Sequence, residues 1–571
     1  MAQLSMSGVA TSARSTPVVD LDRAVGELQD HAREFARLGP AVKARLLRSC
    51  IPRAVEAAAD WSARGLEARG LPPTSAEEWL AGPVPVVRHL RLLADSLDVV
   101  AVAGRPALGT GVRHRDDGRL EVDLFPATGL ERLLYRGTSA YALLQEGLGA
   151  DDARARQAGF YAEHDPDGAV CLVLGAGNVS SIAPMDVLTK LFNEGQVCLL
   201  KINPVNEWAG PFVERALAPL VDAGFLRVVY GGADVGQHLV GHAGIDAVHL
   251  TGSAQTHDAL VWGPPGPEQD RRRAANDPVL RIPITSELGN VTPVAVVPHR
   301  YRPADLRFQA RYLATMVANN ASFNCIAAKM LVTATGWAQR EEFLELVGGY
   351  LAAIPVRRAY YPGASERYAS LTAGRTVERY GTPGAGELPW ALVRDLDSAD
   401  TDDPLFVTEP FCSLLSETTV GSTDPLDFLA AATTFMNDTL WGTLSAAVVV
   451  APELERDDEV GRALDRAVTD LRYGCVAVNH WPAVSYGLVS PPWGGHASGT
   501  LGDVQSGTGW VHNTFMLSGI DKAVLRGSMR LRPTPPWFAD HPTAGRAGPD
   551  LVALEAEPRW ARLPGVMRRL L

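Results

Sequence analysis

Residues 316–332, "MVANNASFNCIAAKMLV", place one thiol, Cys325, behind the amides of Asn319, Asn320 and Asn324 and ahead of a short apolar run. A cysteine kept for packing sits among apolar neighbours that hold it protonated, whereas a thiol at a turn among amides is placed to gain thiolate character. Two uses are open to Cys325: a spare core residue, or a nucleophile in a polar pocket. A second chemical signal is "GAGNVS", residues 175–180, a near miss for the glycine pattern that lets a backbone approach a phosphate. Such glycines also serve plain tight turns. The loop follows an apolar run, however, and Asn178 offers an amide donor at a strand end, where ligands bind in doubly wound sheets. No GxSxG, HExxH, P-loop or EF-hand spacing occurs, so hydrolase, metalloprotease and kinase chemistry lack their minimum residues.

Such residues need elements to position them. From residue 170, the runs "VCLVLG", "VCLLKI", "LRVVYG", "DAVHLTG" and, near 292, "TPVAVV" alternate with helix-period segments. Runs apolar on both faces predict parallel strands, and the alternation predicts βαβ units of a doubly wound α/β fold. The segment "EWAGPFVERALAPLVDAG" puts Trp208, Phe212, Val213, Ala216, Leu217, Leu220 and Val221 on one helical face, with Gly224 where a C-terminal cap belongs. Residues 21–165 read as a helical N-terminal region with an arm, to which "RLEVDLFPA" and "ERLLYRGTSAYALLQEG" contribute strands. The Pro-, Gly- and Arg-rich stretch 263–278 reads as a solvated surface insertion. A second α/β segment runs to about 480 and contains "FLAAATTFMNDTLWGTLSAAVVVA" as helix, turn and strand. Residues 481–571 read as a C-terminal arm and tail, with "VQSGTGWVHNTFML" (504–517) as the arm. The closing "PRWARLPGVMRRLL" suits packing against a neighbouring domain or subunit.

The bulk numbers agree. A chain of 571 residues exceeds one core and implies several domains. The formal charge of -12 argues against a nucleic acid or an anionic membrane as main partner. Six cysteines without paired spacing indicate neither a disulfide framework nor a metal site, and a reducing, cytoplasmic compartment is expected. Residues 1–20 read as a disordered leader, and no apolar run reaches the length of a membrane span.

Seven pieces stand in a fixed order: "GAGNVSSIAP", "KINP", "HLTGS", "SELGNVTP", "SFNCIAAK", "EPF" and "NDTLWGTLSAA". Over about residues 165–515 their order and spacing resemble the aldehyde dehydrogenase superfamily. The resemblance implies an aldehyde dehydrogenase-like α/β fold: a nucleotide-binding domain over 166–286, a catalytic domain over 287–480, and an arm joining copies into a homodimer or homotetramer. Carried over residue by residue, it makes Cys325 the nucleophile and Glu287 the general base. The Asn178 side chain and the Cys325 backbone N–H become donors to the oxyanion. The implied cofactor is NAD or NADP: Lys201 on the adenosine ribose, Gly252 and Ser253 at the helix facing the pyrophosphate, Glu409 on the nicotinamide ribose, Phe411 beside the ring. On their own, Lys201 has the lesser alternative of an ordinary strand-end surface lysine, and Ser253 reads equally as a plain N-cap.

The activity so implied is oxidation of a small aldehyde to its acid through a cysteine thioester. Glu287 favours hydrolysis; the runner-up is an acyl-thioester reductase working with coenzyme A or a carrier, and a catalytically silent relative is the reading from another class. The chain departs from the family pattern with Pro204 where NAD-preferring members often carry a Glu, which admits NADP. It also has His257 and Cys412 at usual glycines, no Gly-Gln ahead of Cys325, and no second Gly in "ELGN". Trp441, Trp481 and Trp493 are candidate pocket walls.

Overall fold

The computed structural model describes residues 12–108, 111–115 and 117–570. Most of the expected leader, residues 1–11, lies outside the described residues, and helix begins already at Val18.

Long helices form the N-terminal region. Pro40 and Pro83 open two of them in the first turn, where a missing N–H costs nothing, and Gly70 and Gly104 end them in the left-handed conformation. Their apolar faces pack on a six-stranded sheet in the order 507–508, 284–288, 247–252, 170–174, 197–201, 226–229. All its pairings are parallel except the first, where Gly507 and Thr508 run antiparallel to Glu287 and Ser286. The expected long helix after "KINP" is instead a 3-10 turn, Pro204–Ala209, followed by the short helices Gly210–Ala216 and Ala218–Asp222. Pro211 and Pro219 each start a piece, because neither can donate inside a continuing helix. Gly224, with φ of 81°, closes the segment as expected.

The second sheet has eleven strands. Its centre, Ile520–Gly527, Cys475–Val478, Ser445–Val449, Pro293–Val296, Met330–Ala334, Leu414–Val420 and Trp390–Leu396, is parallel throughout. Strand Pro293–Val296, read from the sequence as the last of the first series, belongs here. Its former place is taken by Ile284–Leu288, so Glu287 rides on the nucleotide-side sheet and the crossing between sheets falls after Leu288.

The stretches expected to form an arm pack within the chain. Strands Leu120–Phe125 and Thr138–Leu144 pair antiparallel, and Thr138–Leu144 pairs antiparallel with the chain's own Ile520–Gly527, so the second sheet is extended in cis. Residues 504–517 hold the short return strand Gly507–Thr508 and a second, Val511–His512, with Ser506 and His512 fully enclosed. The 263–278 insertion contains a helix, Pro267–Ala274, whose arginines are spent on Glu268, Asp277 and Asp258. The tail helix Leu563–Leu570 buries Val566 beside Leu130 and Leu554 of the same chain.

Candidate active site

The two sheets meet where strand Ile284–Leu288 ends and the loop after helix Pro303–Ala318 returns. There Cys325 Sγ donates to Glu287 Oε1 at 3.5 Å. The loop presenting the thiol is unusual: Asn320, Ala321 and Ser322 all have φ between 51° and 63°. Left-handed backbone costs about 1–2 kcal/mol for a residue with a Cβ, so surrounding contacts must hold it. Asn320 does much of this, since Nδ2 donates to Phe323 O at 2.8 Å and Asn178 O at 2.9 Å, while Oδ1 accepts from Tyr360 O–H at 2.9 Å. One side chain thereby couples the thiol loop to the "GAGN" loop.

Asn178 is pinned by its backbone. Its carbonyl accepts from Asn320, from Arg69 Nη2 at 3.0 Å and from Tyr360 O–H at 3.3 Å. Arg69 is itself locked to buried Glu78, which also accepts from Ser180. The Asn178 side-chain amide makes no hydrogen bond to any described residue, which leaves it for a ligand.

The electrostatics differ from the sequence expectation. Cys325 was expected to gain thiolate character from a polar pocket; instead burial and the carboxyls of Glu287 and Glu409 push its pKa well up, with only Lys329 opposing. Glu287 is also a poor anion. Burial, then the charge of Asp186, raise its pKa to about 8, and its Oε2 has no hydrogen-bond partner. Near neutrality the pair is a thiol beside a carboxylic acid, holding a proton that must leave before either can act as a base.

The other expected site residues fall around this pair. Lys201 ends strand Val197–Lys201; burial lowers its pKa to about 8, and its ammonium makes no hydrogen bond to any described residue. Gly252 ends strand Ala247–Gly252, and Ser253 N-caps helix Ala254–Trp262, its Oγ accepting from Thr256 N–H at 3.2 Å. Glu409 accepts from Lys329 Nζ at 2.5 Å and lies against Gly289, where a Cβ would meet its Oε2 at 1.8 Å. That close approach explains the glycine in "ELGN". Phe411 sits in an aromatic group with Phe323 and Tyr361, whose hydroxyl lies against Gly177. Of the three tryptophans, Trp493 is buried among residues packed on the first sheet and Trp481 donates to Ile326 O at 2.8 Å. Trp441 is partly buried against the second core.

Residues missed in the sequence are Arg69, Glu78, Asn320, Lys329, Tyr360 and Asp186. Each acts across a long sequence separation, and only the amide run before Cys325 pointed to one of them. A charged cleft of about 720 Å³, lined in part by Arg113, Arg115, Glu121, Asp123 and Arg526, includes none of these site residues, and its charges largely pair with one another.

Residues 140–362 match the model of the aldehyde dehydrogenase family. No curated protein sequence matches the chain. Among solved structures, an aldehyde dehydrogenase from Pseudomonas aeruginosa is 17% identical with a TM-score of 0.59, covering 91% of this chain and 92% of the other. An aldehyde dehydrogenase from Mycobacterium tuberculosis, complexed with NAD+, is 16% identical at a TM-score of 0.59, over 93% and 96% of the two chains. An NADP-dependent glyceraldehyde-3-phosphate dehydrogenase from Bacillus halodurans, complexed with NADP, is 16% identical at 0.58, over 91% and 95%. The central segment thus matches the aldehyde dehydrogenase family, and the fold across more than nine-tenths of the chain is similar to that of solved aldehyde dehydrogenases.

Proposed function

We propose that the protein oxidises an aldehyde to the carboxylic acid, with Cys325 as covalent nucleophile and NAD or NADP as hydride acceptor. The observation that carries this is the contact of Cys325 with Glu287 at the junction of two sheets, with the Asn178 loop tied to the thiol loop through Asn320. The residues that would hold a nicotinamide dinucleotide suit it: Lys201 offers a free buried ammonium, and the helix after Ser253 offers its N-terminal N–H groups to a pyrophosphate. Glu409, oriented by Lys329, faces the same crevice with Phe411 near it. The bound nucleotide would supply the acceptor for the hydride.

The chain's own residues do the rest. Cys325 gives its proton to ionised Glu287 and forms the S–C bond, and the oxyanion accepts from the Asn178 amide and the Cys325 N–H, a donor of this kind being worth about 3 kcal/mol. Loss of hydride leaves a thioester on Cys325. Glu287 releases the proton it took from Cys325 to solvent, then takes one from water as the new C–O bond forms, and the thiolate departs with the acid as product.

A second reading, transfer of the acyl group to another thiol or the reverse reduction, is favoured by one observation: a base with a pKa of about 8 is mostly protonated near neutrality, which prolongs the thioester. Both readings meet one test. Aldehydes are offered with NAD or NADP, with and without coenzyme A, to wild type and Cys325→Ala. Free acid without coenzyme A supports oxidation, and coenzyme A-dependent product supports the second reading. Cys325→Ala should lose at least ~10³-fold in turnover yet keep nucleotide binding; full turnover in that variant rejects both.

A further inference from the structure

Behind the catalytic pair runs a line of polar side chains that this reaction does not use. Thr251 and Glu287 are register partners on adjacent parallel strands, so both side chains stand on one face of the first sheet. Helix Ile182–Phe192, buried along its whole length, brings Asp186 to that face. Asp186 Oδ2 accepts from Thr251 Oγ1 at 2.8 Å and lies 3.5 Å from His249 Nε2. His249 Nδ1 is 2.9 Å from Thr285 Oγ1; Lys190 Nζ donates to that hydroxyl at 2.9 Å and to Glu194 Oε1 at 2.7 Å, and Glu194 reaches solvent.

We propose that Asp186 is a positioning residue whose negative charge, across one strand from Glu287, makes the Cys325–Glu287 pair keep its proton, with His249, Thr285, Lys190 and Glu194 continuing the line to solvent. Two carboxyls on one water-poor face resist ionising together. Asp186 is the better placed to hold the charge, because Thr251 donates to it and His249 stands next to it, whereas Glu287 has the thiol and the Trp493 indole, and its Oε2 is unpartnered. Of the other groups facing the pair, the Trp493 indole acts against the rise at Glu287 and Lys329 against that at Cys325. Tyr486 is a neutral phenol 3.3 Å from Ser181 Oγ, and His512 behind it is driven neutral by burial. Lys329 and Glu409, beyond Cys325, balance each other. Asp186 therefore sets the pH at which the pair becomes reactive and, on the oxidative reading above, how long the thioester lives.

The test needs neither aldehyde nor nucleotide, so it stands apart from that reading. Iodoacetamide labelling of Cys325 is followed by peptide mass mapping from about pH 6 to about pH 10 on the full chain. The other five cysteines are buried. In Asp186→Asn and Asp186→Ser the labelling profile should move down by about one pH unit, a roughly tenfold faster reaction near pH 7, while Asp186→Glu keeps the wild-type profile. If either neutral variant folds, shown by an unchanged circular dichroism spectrum, and labels with the wild-type profile, the proposal is overturned. Aldehyde turnover is scored separately: its absence rejects the oxidative reading and leaves the labelling result intact.

Discussion

Glu287 carries a conflict between burial and its proposed work. In the unfolded chain the carboxyl ionises near 4.5; in the fold it holds its proton to about 8. Between those values the unfolded chain binds fewer protons, so stability contributed by this group is full below about 4.5 and is lost as pH rises through about 8. At about 1.4 kcal/mol for each pKa unit, the loss is a few kcal/mol at most. Glu287→Gln keeps the neutral shape and should flatten it: thermal midpoints at about pH 5 and about pH 8.5 should differ less in the variant than in wild type. Equal differences would show that Glu287 ionises freely in the fold. Acid release should fall in the same variant while the acyl-enzyme accumulates, visible by mass spectrometry. Cys325 and Glu287 were legible in the sequence because type and motif order mark them. Their charge states were not, since burial, which raises both, and the charged neighbours, Asp186 for Glu287 and Glu409 and Lys329 for Cys325, come from residues far apart in the chain.

The thiol loop is held by contacts rather than by its own propensity. Three successive left-handed residues, none of them glycine, make Asn319–Ser322 a segment that relaxes when its ties are cut. Asn320 supplies those ties on both sides, to Phe323 and to Asn178. Asn320→Ala should therefore lower stability by about 2–3 kcal/mol and turnover by roughly 10²-fold, because a shift near 1 Å at the nucleophile is enough to misplace it. Nucleotide affinity, which we propose to be set at Lys201 and Ser253, should hold; a variant with normal turnover would show that the loop keeps its shape unaided. Among elements, the parallel strands were legible because a strand covered on both faces must be apolar throughout. Strand Ile284–Leu288, "ITSEL", escaped notice because Thr285 and Glu287 face polar partners and Ser286 interrupts the apolar run.

At the scale of the molecule, the C-terminal stretch ties the two sheets together. Gly507–Thr508 lies beside Glu287, and a few residues on Ile520–Gly527 enters the second sheet between Cys475–Val478 and Thr138–Leu144. The sequence offered glycine and polar residues there, which read as an extended arm; only the strand they lie against makes them interior. Arg88 adds a second tie, binding Glu131 at 2.5 Å and Glu555 at 3.1 Å and so joining the N-terminal helices, the cis extension and the tail. The joint is tightest at Gly507, whose φ is 113° and where a Cβ would stand 1.9 Å from Ser286 O. Neither the conformation nor the space admits a side chain, and the obstacle is backbone that cannot swing aside. Gly507→Ala should push strand Ile284–Leu288 away and carry Glu287 with it, costing about 3 kcal/mol or more. Thermal melting, Cys325 labelling and nucleotide binding followed together check this: a lowered midpoint and an altered labelling profile, with nucleotide still bound at Lys201, would mark the return strand as the brace of the catalytic carboxyl. Unchanged labelling would mean that Glu287 is positioned by its own sheet alone.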